Sequence, residues 1–321
     1  GTLILRSGKM RSHVEMDSIL SRESAFLFNN LFFLVAAATV FLGTLYPLLM
    51  ETLKTAKVSV GPPYYNAVFM PVALGLLILM GVAPSIPWRK ASTTHFLRNF
   101  LGPFLFAAAI TLIIWLSGIR TVFGVAGTAI VSFVAAAIAL DFGKITALWA
   151  GRHNVNYLSA FLKSFSNNQR RSAGQVTHIG VLVLVTGVIA SSVYQTEHVV
   201  RMKIGDELSL GPYTVRMVGL RDVAGPNWNA AEGTFDVFRG PRFITQMLPQ
   251  KRIYTESQTP TTESAIHAVN LGHLFLTMPD VDPDGVTVRA LINPLILLVW
   301  IGGGIMGLGV ILNVFRPKKN D

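Results

Sequence analysis

Residues 174–190 read Gly-Gln-Val-Thr-His-Ile-Gly-Val-Leu-Val-Leu-Val-Thr-Gly-Val-Ile-Ala. Taken out to Tyr194, the run reaches the length of about 20 residues that a helix needs to cross a bilayer. An apolar span this long fixes the fold class: the chain is built around membrane helices. His178 stands inside it. A charged side chain there costs roughly 2.5–3.5 kcal/mol on insertion scales, so an ionisable residue in hydrocarbon marks a place of interest. A neutral imidazole costs less and is a common metal ligand.

Composition extends that reading to the whole chain. Of its 321 residues, 51% are hydrophobic and only 14% charged, where soluble domains carry about 25% charged residues. Six apolar segments are long enough to span: Ala25–Leu49, Tyr65–Ala83, Phe100–Leu116, Val122–Leu140, Gln175–Tyr194 and Leu291–Phe315. There is no Cys, so neither a disulfide nor a thiolate metal site exists within the chain. Thiols, if handled, come from a partner. The net charge of +10 is concentrated outside residues 196–290, which carry nine Lys/Arg against eleven Asp/Glu. It flanks apolar segments and does not form a nucleic-acid footprint.

The short loops set an orientation. Fifteen cations fall on one side: Arg6, Lys9, Arg11, Arg22, Arg89, Lys90, Arg98, Lys144, Arg152, Lys163, Arg170, Arg171, Arg316, Lys318 and Lys319. Lys54, Lys57 and Arg120 fall on the other. The positive-inside rule puts both termini in the cytoplasm and residues 196–290 on the periplasmic face. The start, Gly1-Thr2-Leu3-Ile4-Leu5, has neither a Met nor a signal peptide and reads as a fragment or processed half.

The outer segment alternates β-branched runs with turns. Strands are predicted at His198–Ile204, Tyr213–Val223, Gly233–Phe238, Phe243–Tyr254, His273–Met278 and Val286–Ala290. Turns are expected at Gly205-Asp206, Gly211-Pro212, Gly225-Pro226-Asn227, Gly240-Pro241 and Asp282-Pro283-Asp284-Gly285. This spacing predicts an antiparallel sandwich or open barrel. The fold class is therefore a polytopic α-helical membrane protein with an inserted periplasmic antiparallel β-domain. Its divisions are a cytoplasmic segment 1–24, five transmembrane helices in 25–195, the β-domain 196–290, a sixth transmembrane helix 291–315 and a tail 316–321.

Each candidate residue has an ordinary reading beside the functional one. On the residues alone, His178 is an imidazole hydrogen-bonded to a neighbouring helix, or else a cofactor ligand. Gly174 and Gly180 lie close by and admit either a helix or a flat macrocycle. No other His lies within a predicted span. His198, His267 and His273 lack zinc-motif spacing and read as surface or half-buried. His13, His95 and His153 fall in basic loops. Trp228, after Gly225-Pro226-Asn227, reads as an indole capping the domain core; the alternative is a platform for a planar ligand or a partner peptide. Trp88, Trp115 and Trp149 sit near interfaces, where aromatic belts form. Gly302-Gly303-Gly304-Ile305-Met306-Gly307-Leu308-Gly309 reads as a close helix contact, not a phosphate loop. Asp141 is the only acid near a span.

Seven stretches taken together resemble the C-terminal half of the CcmF family, also called CycK or NrfE. They are Leu20-Ser21-Arg22-Glu23 with Leu27-Phe28-Asn29-Asn30; Gly61-Pro62-Pro63-Tyr64-Tyr65-Asn66; His178-Ile179-Gly180; Val200–Asp206; Gly225-Pro226-Asn227-Trp228; Lys251-Arg252-Ile253-Tyr254; and Thr262-Glu263-Ser264-Ala265-Ile266. The resemblance implies the heme lyase of system I cytochrome c maturation, which joins heme to the thiols of a Cys-x-x-Cys-His motif. It implies that His178 is one of two transmembrane His ligands of a heme b, making it both the cofactor-binding and the metal-binding candidate. No catalytic residue is assigned. The other His of the pair, and the Trp-rich heme-handling segment with its two flanking His, would lie upstream. This chain alone is then an incomplete lyase that meets heme also as a transient substrate. The implied partners are a heme chaperone, apocytochrome c, other maturation subunits, the upstream N-terminal half and membrane lipid, with no nucleic acid. The implied place is the bacterial inner membrane. The alternative is a non-enzymatic assembly platform or a heme transporter-like subunit. A quinone-linked electron-transfer subunit is a third option, although no residue marks a quinone pocket.

Overall fold

A computed structural model of the chain describes residues 21–53, 60–87, 93–167 and 169–315. Six of its helices are long and apolar enough to cross a membrane, and a β-sandwich is inserted before the last. In order they are α1 (Arg22–Thr52), α2 (Pro62–Val82), α3 (Thr93–Leu116), α4 (Val122–His153), α6 (Gln169–Val193) and α7 (Leu297–Val314). A shorter α5 (Tyr157–Asn167) lies between α4 and α6. The chain divides into two compact units, residues 1–120 with 125–175, and residues 121–124 with 176–321.

In the first unit, local sequence explains the helix ends. Ser21 caps α1 by accepting from the Ser24 N–H at 3.1 Å. Arg22 donates to the carbonyls of Ala83 (3.3 Å) and Pro84 (2.5 Å), which lie just beyond α2. A cation there supports the carbonyls at the end of the helix. Gly61 precedes Pro62 and Pro63 at the first turn of α2, where a missing N–H is harmless. Tyr64 then donates to Thr39 O at 3.1 Å, and a Cβ on Gly43 would lie 2.6 Å from Tyr65 Oη. Two of the stretches quoted for the family resemblance are thus helix-packing devices.

In the second unit, ten strands form two antiparallel sheets: β1 (Thr196–Met202), β2 (Glu207–Leu210), β3 (Tyr213–Ala224), β4 (Trp228–Arg239), β5 (Arg242–Met247), β6 (Gln250–Tyr254), β7 (Pro260–Glu263), β8 (Ala265–Val269), β9 (Gly272–Asp282) and β10 (Gly285–Asn293). One sheet runs β1-β10-β9-β8; the other runs β2-β3-β4-β6-β7, with β5 on β4. Their inner faces share one core, including Met202, Leu210, Val215, Met217, Phe235, Val237, Leu274, Leu276, Met278 and Val288. Alternation along β4 and β9 sends every second side chain into it. Gly211 and Gly240 take positive φ in the β2–β3 and β4–β5 hairpins, a conformation that costs other residues energy.

Several predicted boundaries move. The final span was expected from Leu291, but Leu291–Asn293 complete β10 and α7 begins at Leu297. Only Asn293-Pro294 interrupts the apolar residues through the junction, so hydropathy averaged over a span misses it. The expected strand Phe243–Tyr254 is two strands, β5 and β6, broken at Leu248-Pro249. β2, β7 and β8 were not anticipated, nor was α5. The fourth helix continues past Leu140 to His153, which therefore ends a helix and does not lie in a loop.

Candidate functional site

His178 lies on α6 within the second unit, half-buried, one turn C-terminal to Gly174. Its Nδ1 is buried and has no hydrogen-bond partner among the described residues. A sealed, unpartnered ring nitrogen costs free energy unless something satisfies it. The ring is not held by α7. Helices α6 and α7 meet backbone to backbone on another face, through Gly180, Gly187 and Gly302. A Cβ on Gly180 would lie 2.6 Å from Met306 N, and one on Gly187 2.8 Å from Val299 N. A Cβ on Gly302 would lie 2.4 Å from Leu184 N. At about 100° per residue, His178 stands nearly opposite Gly180 around the helix. Gly180 therefore does not make room for a macrocycle beside the imidazole; it seats α7. Gly174 lies on the imidazole's own face, and nothing is within 4 Å of where its Cβ would be. The Gly-rich run of α7 contributes less than its length implied: Gly303, Gly304 and Gly307 also face open space.

In the first unit, Asp141 of α4 accepts from Arg171 at 2.7 and 2.8 Å and from Gln175 Nε2 at 3.0 Å. Asp141 is thus a clamp between α4 and the start of α6; Glu23 and Glu51 also lie near a span, at the two ends of α1. Gln175 Oε1 is left buried, with no hydrogen-bond partner among the described residues. The ring of His153 stacks on Trp149, centroids 3.9 Å apart.

No group of three or more His, Cys, Asp or Glu able to hold a metal occurs among the described residues. An iron at His178 would have to arrive within a larger cofactor. His178 fits one axial side of a heme: an imidazole in a membrane helix, one nitrogen without a partner, and a glycine one turn away on the same face. His198 is exposed on β1, while His267 and His273 are half-buried on β8 and β9; the structure does not bring them together with His178. His13 lies outside the described residues.

On the sandwich, Trp228 does not cap the core. It opens β4 on the outward face, packed on Gly225, with the Arg252 guanidinium 4.2 Å above its ring. Beside it, buried Glu232 accepts from Arg221 at 2.6 and 2.8 Å and from Gln250 at 2.5 Å, and Arg252 donates to Gln250 Oε1 at 2.7 Å. Burial opposes ionisation of Glu232, but the bonds from Arg221 and Gln250 and the Arg221 charge outweigh it and hold the carboxyl below its ordinary range. Sequence reading missed this network, because its members meet only through strand register: Arg221 opposite Glu232, Glu232 opposite Gln250.

Comparison with known proteins rests on both regions. The family described as CcmF C-terminal beta-sandwich matches residues 193–294, which contain all ten strands. The chain is 33% identical over 316 residues to the cytochrome c-type biogenesis protein CcmF of Pseudomonas fluorescens, covering 97% of this chain and 46% of that protein. A solved structure of the cytochrome c heme lyase CcmF superposes with a TM-score of 0.70 at 27% identity, covering 93% of this chain and 46% of that one. This chain is a C-terminal CcmF-family segment. Its likeness extends across family variants. CycK of Rhizobium meliloti is 33% identical over 311 residues, covering 94% of this chain and 45% of that protein. NrfE of Haemophilus influenzae is 28% identical over 325 residues, covering 100% and 48%. The chain spans about half the length of the CcmF-family relatives it matches.

Proposed function

We propose that this chain is the C-terminal part of a cytochrome c maturation protein in the bacterial inner membrane, and that His178 supplies one axial ligand to a b-type heme. The observation that supports the ligand role is the imidazole of His178 on a membrane-length helix, on a face that α7 leaves free and with Nδ1 unpartnered among the described residues. A bound heme supplies one-electron chemistry, its potential tuned by axial ligand and burial. The chain's own part is to fix the imidazole. Glycine contacts lock α6 to α7, and the Asp141–Arg171–Gln175 cluster fastens the start of the same helix. The second ligand belongs to the upstream half that the relatives' greater length implies.

In this reading both termini are cytoplasmic and the sandwich is periplasmic, where it faces the heme chaperone, apocytochrome c and other maturation subunits. Arg98, Lys144, Arg152, Lys163, Arg170 and Arg171 then share the inner side, and Arg120 the outer. The test is an absorption spectrum of the full-length protein. His178→Ala should abolish or shift the Soret and α-bands of bound heme while expression and sandwich folding persist. An unchanged spectrum removes the ligand assignment.

A second reading, a non-enzymatic assembly platform, is favoured by one feature: the sandwich has a core of its own, and its first and last strands pair. Deleting residues 196–290 should then abolish co-purification of partner subunits with heme content unchanged. Loss of heme as well would favour the lyase reading.

A further inference from the structure

Within the first unit, α2, α3 and α4 enclose an apolar groove of about 610 Å³. Its α3 wall is a single helix face, including Phe104, Ala108, Thr111 and Trp115, at spacings of three, four and seven residues. From Phe104 to Trp115 that wall is about 16 Å long at 1.5 Å per residue. Ala108 and Ala129 keep the floor low, and almost no polar surface lines it.

Two polar features stand out against this lining, and they are ordered along the helix. At the open end of α3, the Arg120 guanidinium lies 5.3 Å from the Trp115 ring, and no carboxylate among the described residues pairs with it. One turn deeper, Thr111 Oγ1 is buried without a partner among the described residues, where helical Thr ordinarily bonds the carbonyl four residues back. Thr has two accessible rotamers in a helix, so turning about one bond offers that hydroxyl to the groove.

We propose that this groove binds one anionic glycerophospholipid. The phosphate sits on Arg120 beside the amphipathic Trp115 ring, the ester carbonyl one turn deeper accepts from Thr111, and an acyl chain lies along the wall toward Phe104. The order of cation, hydroxyl and apolar trough matches the order of phosphate, ester and hydrocarbon in that class of lipid.

The experiment places the full-length protein in nanodiscs containing brominated phosphatidylglycerol or brominated phosphatidylcholine, with the Trp115 signal isolated by difference from Trp115→Phe. Phosphatidylglycerol should quench Trp115 at about one-fifth of the phosphatidylcholine fraction, the preference one basic side chain near the surface provides. Arg120→Gln should erase the preference, and Thr111→Val should reduce the lipid retained in native mass spectrometry. Equal quenching by the two lipids, or a preference that survives Arg120→Gln, overturns the proposal. So does failure of either lipid to quench Trp115, which would mean that protein fills the groove.

Discussion

At the scale of single residues, two buried polar groups behave oppositely. Nδ1 of His178 lacks a partner among the described residues, whereas both carboxyl oxygens of Glu232 are engaged. Because the folded Glu232 carboxyl titrates below its ordinary value, its contribution to stability is present above the unfolded carboxylate range, about pH 4, and is lost as pH falls through the folded value. Glu232→Ala should cost about 1–3 kcal/mol at neutral pH, since Arg221 and Gln250 both lose their acceptor. Glu232→Gln should cost less, and its deficit should close as the pH drops below 4. Urea unfolding followed by tryptophan fluorescence across that range checks both. The position of His178 was legible in the sequence, because one imidazole in an apolar run is conspicuous. That its Nδ1 has no partner among the described residues was not, because that depends on what packs around the helix.

At the scale of elements, the helix pair α6–α7 shows how little of a glycine run matters. A side chain at Gly302 would press on backbone atoms of α6, which cannot yield, while Gly304 has open space around it. Gly302→Val should therefore destabilise the protein by about 1–3 kcal/mol or more, and Gly304→Ala should change it by less than about 0.5 kcal/mol. Thermal unfolding in detergent with matched heme content distinguishes them. The run Gly302–Gly309 announces close packing, but only a partner's position says which glycine is pressed. The same limit applies to strands. β3, β9 and β10 carry long β-branched stretches and were read, whereas Pro260–Glu263 and Ala265–Val269 are short edge strands whose pairing comes from β6 and β9. Leu291–Asn293 failed for a different reason: a strand running into a membrane helix leaves only Asn293-Pro294 as a break in the apolar sequence.

At the scale of the whole molecule, the sandwich is an insertion whose two ends meet. Thr196 pairs with Ile292, so the chain enters and leaves on neighbouring strands. Residues 194–295, expressed alone, should fold as a soluble β-protein with cooperative thermal unfolding, and a dispersed amide NMR spectrum checks this. A molten spectrum would mean that the core needs its helices. The fold class was readable from composition and alternation because burial in lipid and burial in a two-layer core leave different periods in sequence. The entry and exit segments carry a consequence of their own. Only Tyr194-Gln195 on one side and Pro294-Leu295-Ile296 on the other separate the paired strands β1 and β10 from the interlocked helices α6 and α7. Two parallel rails without a swivel transmit torque, so a load borne by the sandwich when another protein lands on it is delivered to the rod that carries the imidazole.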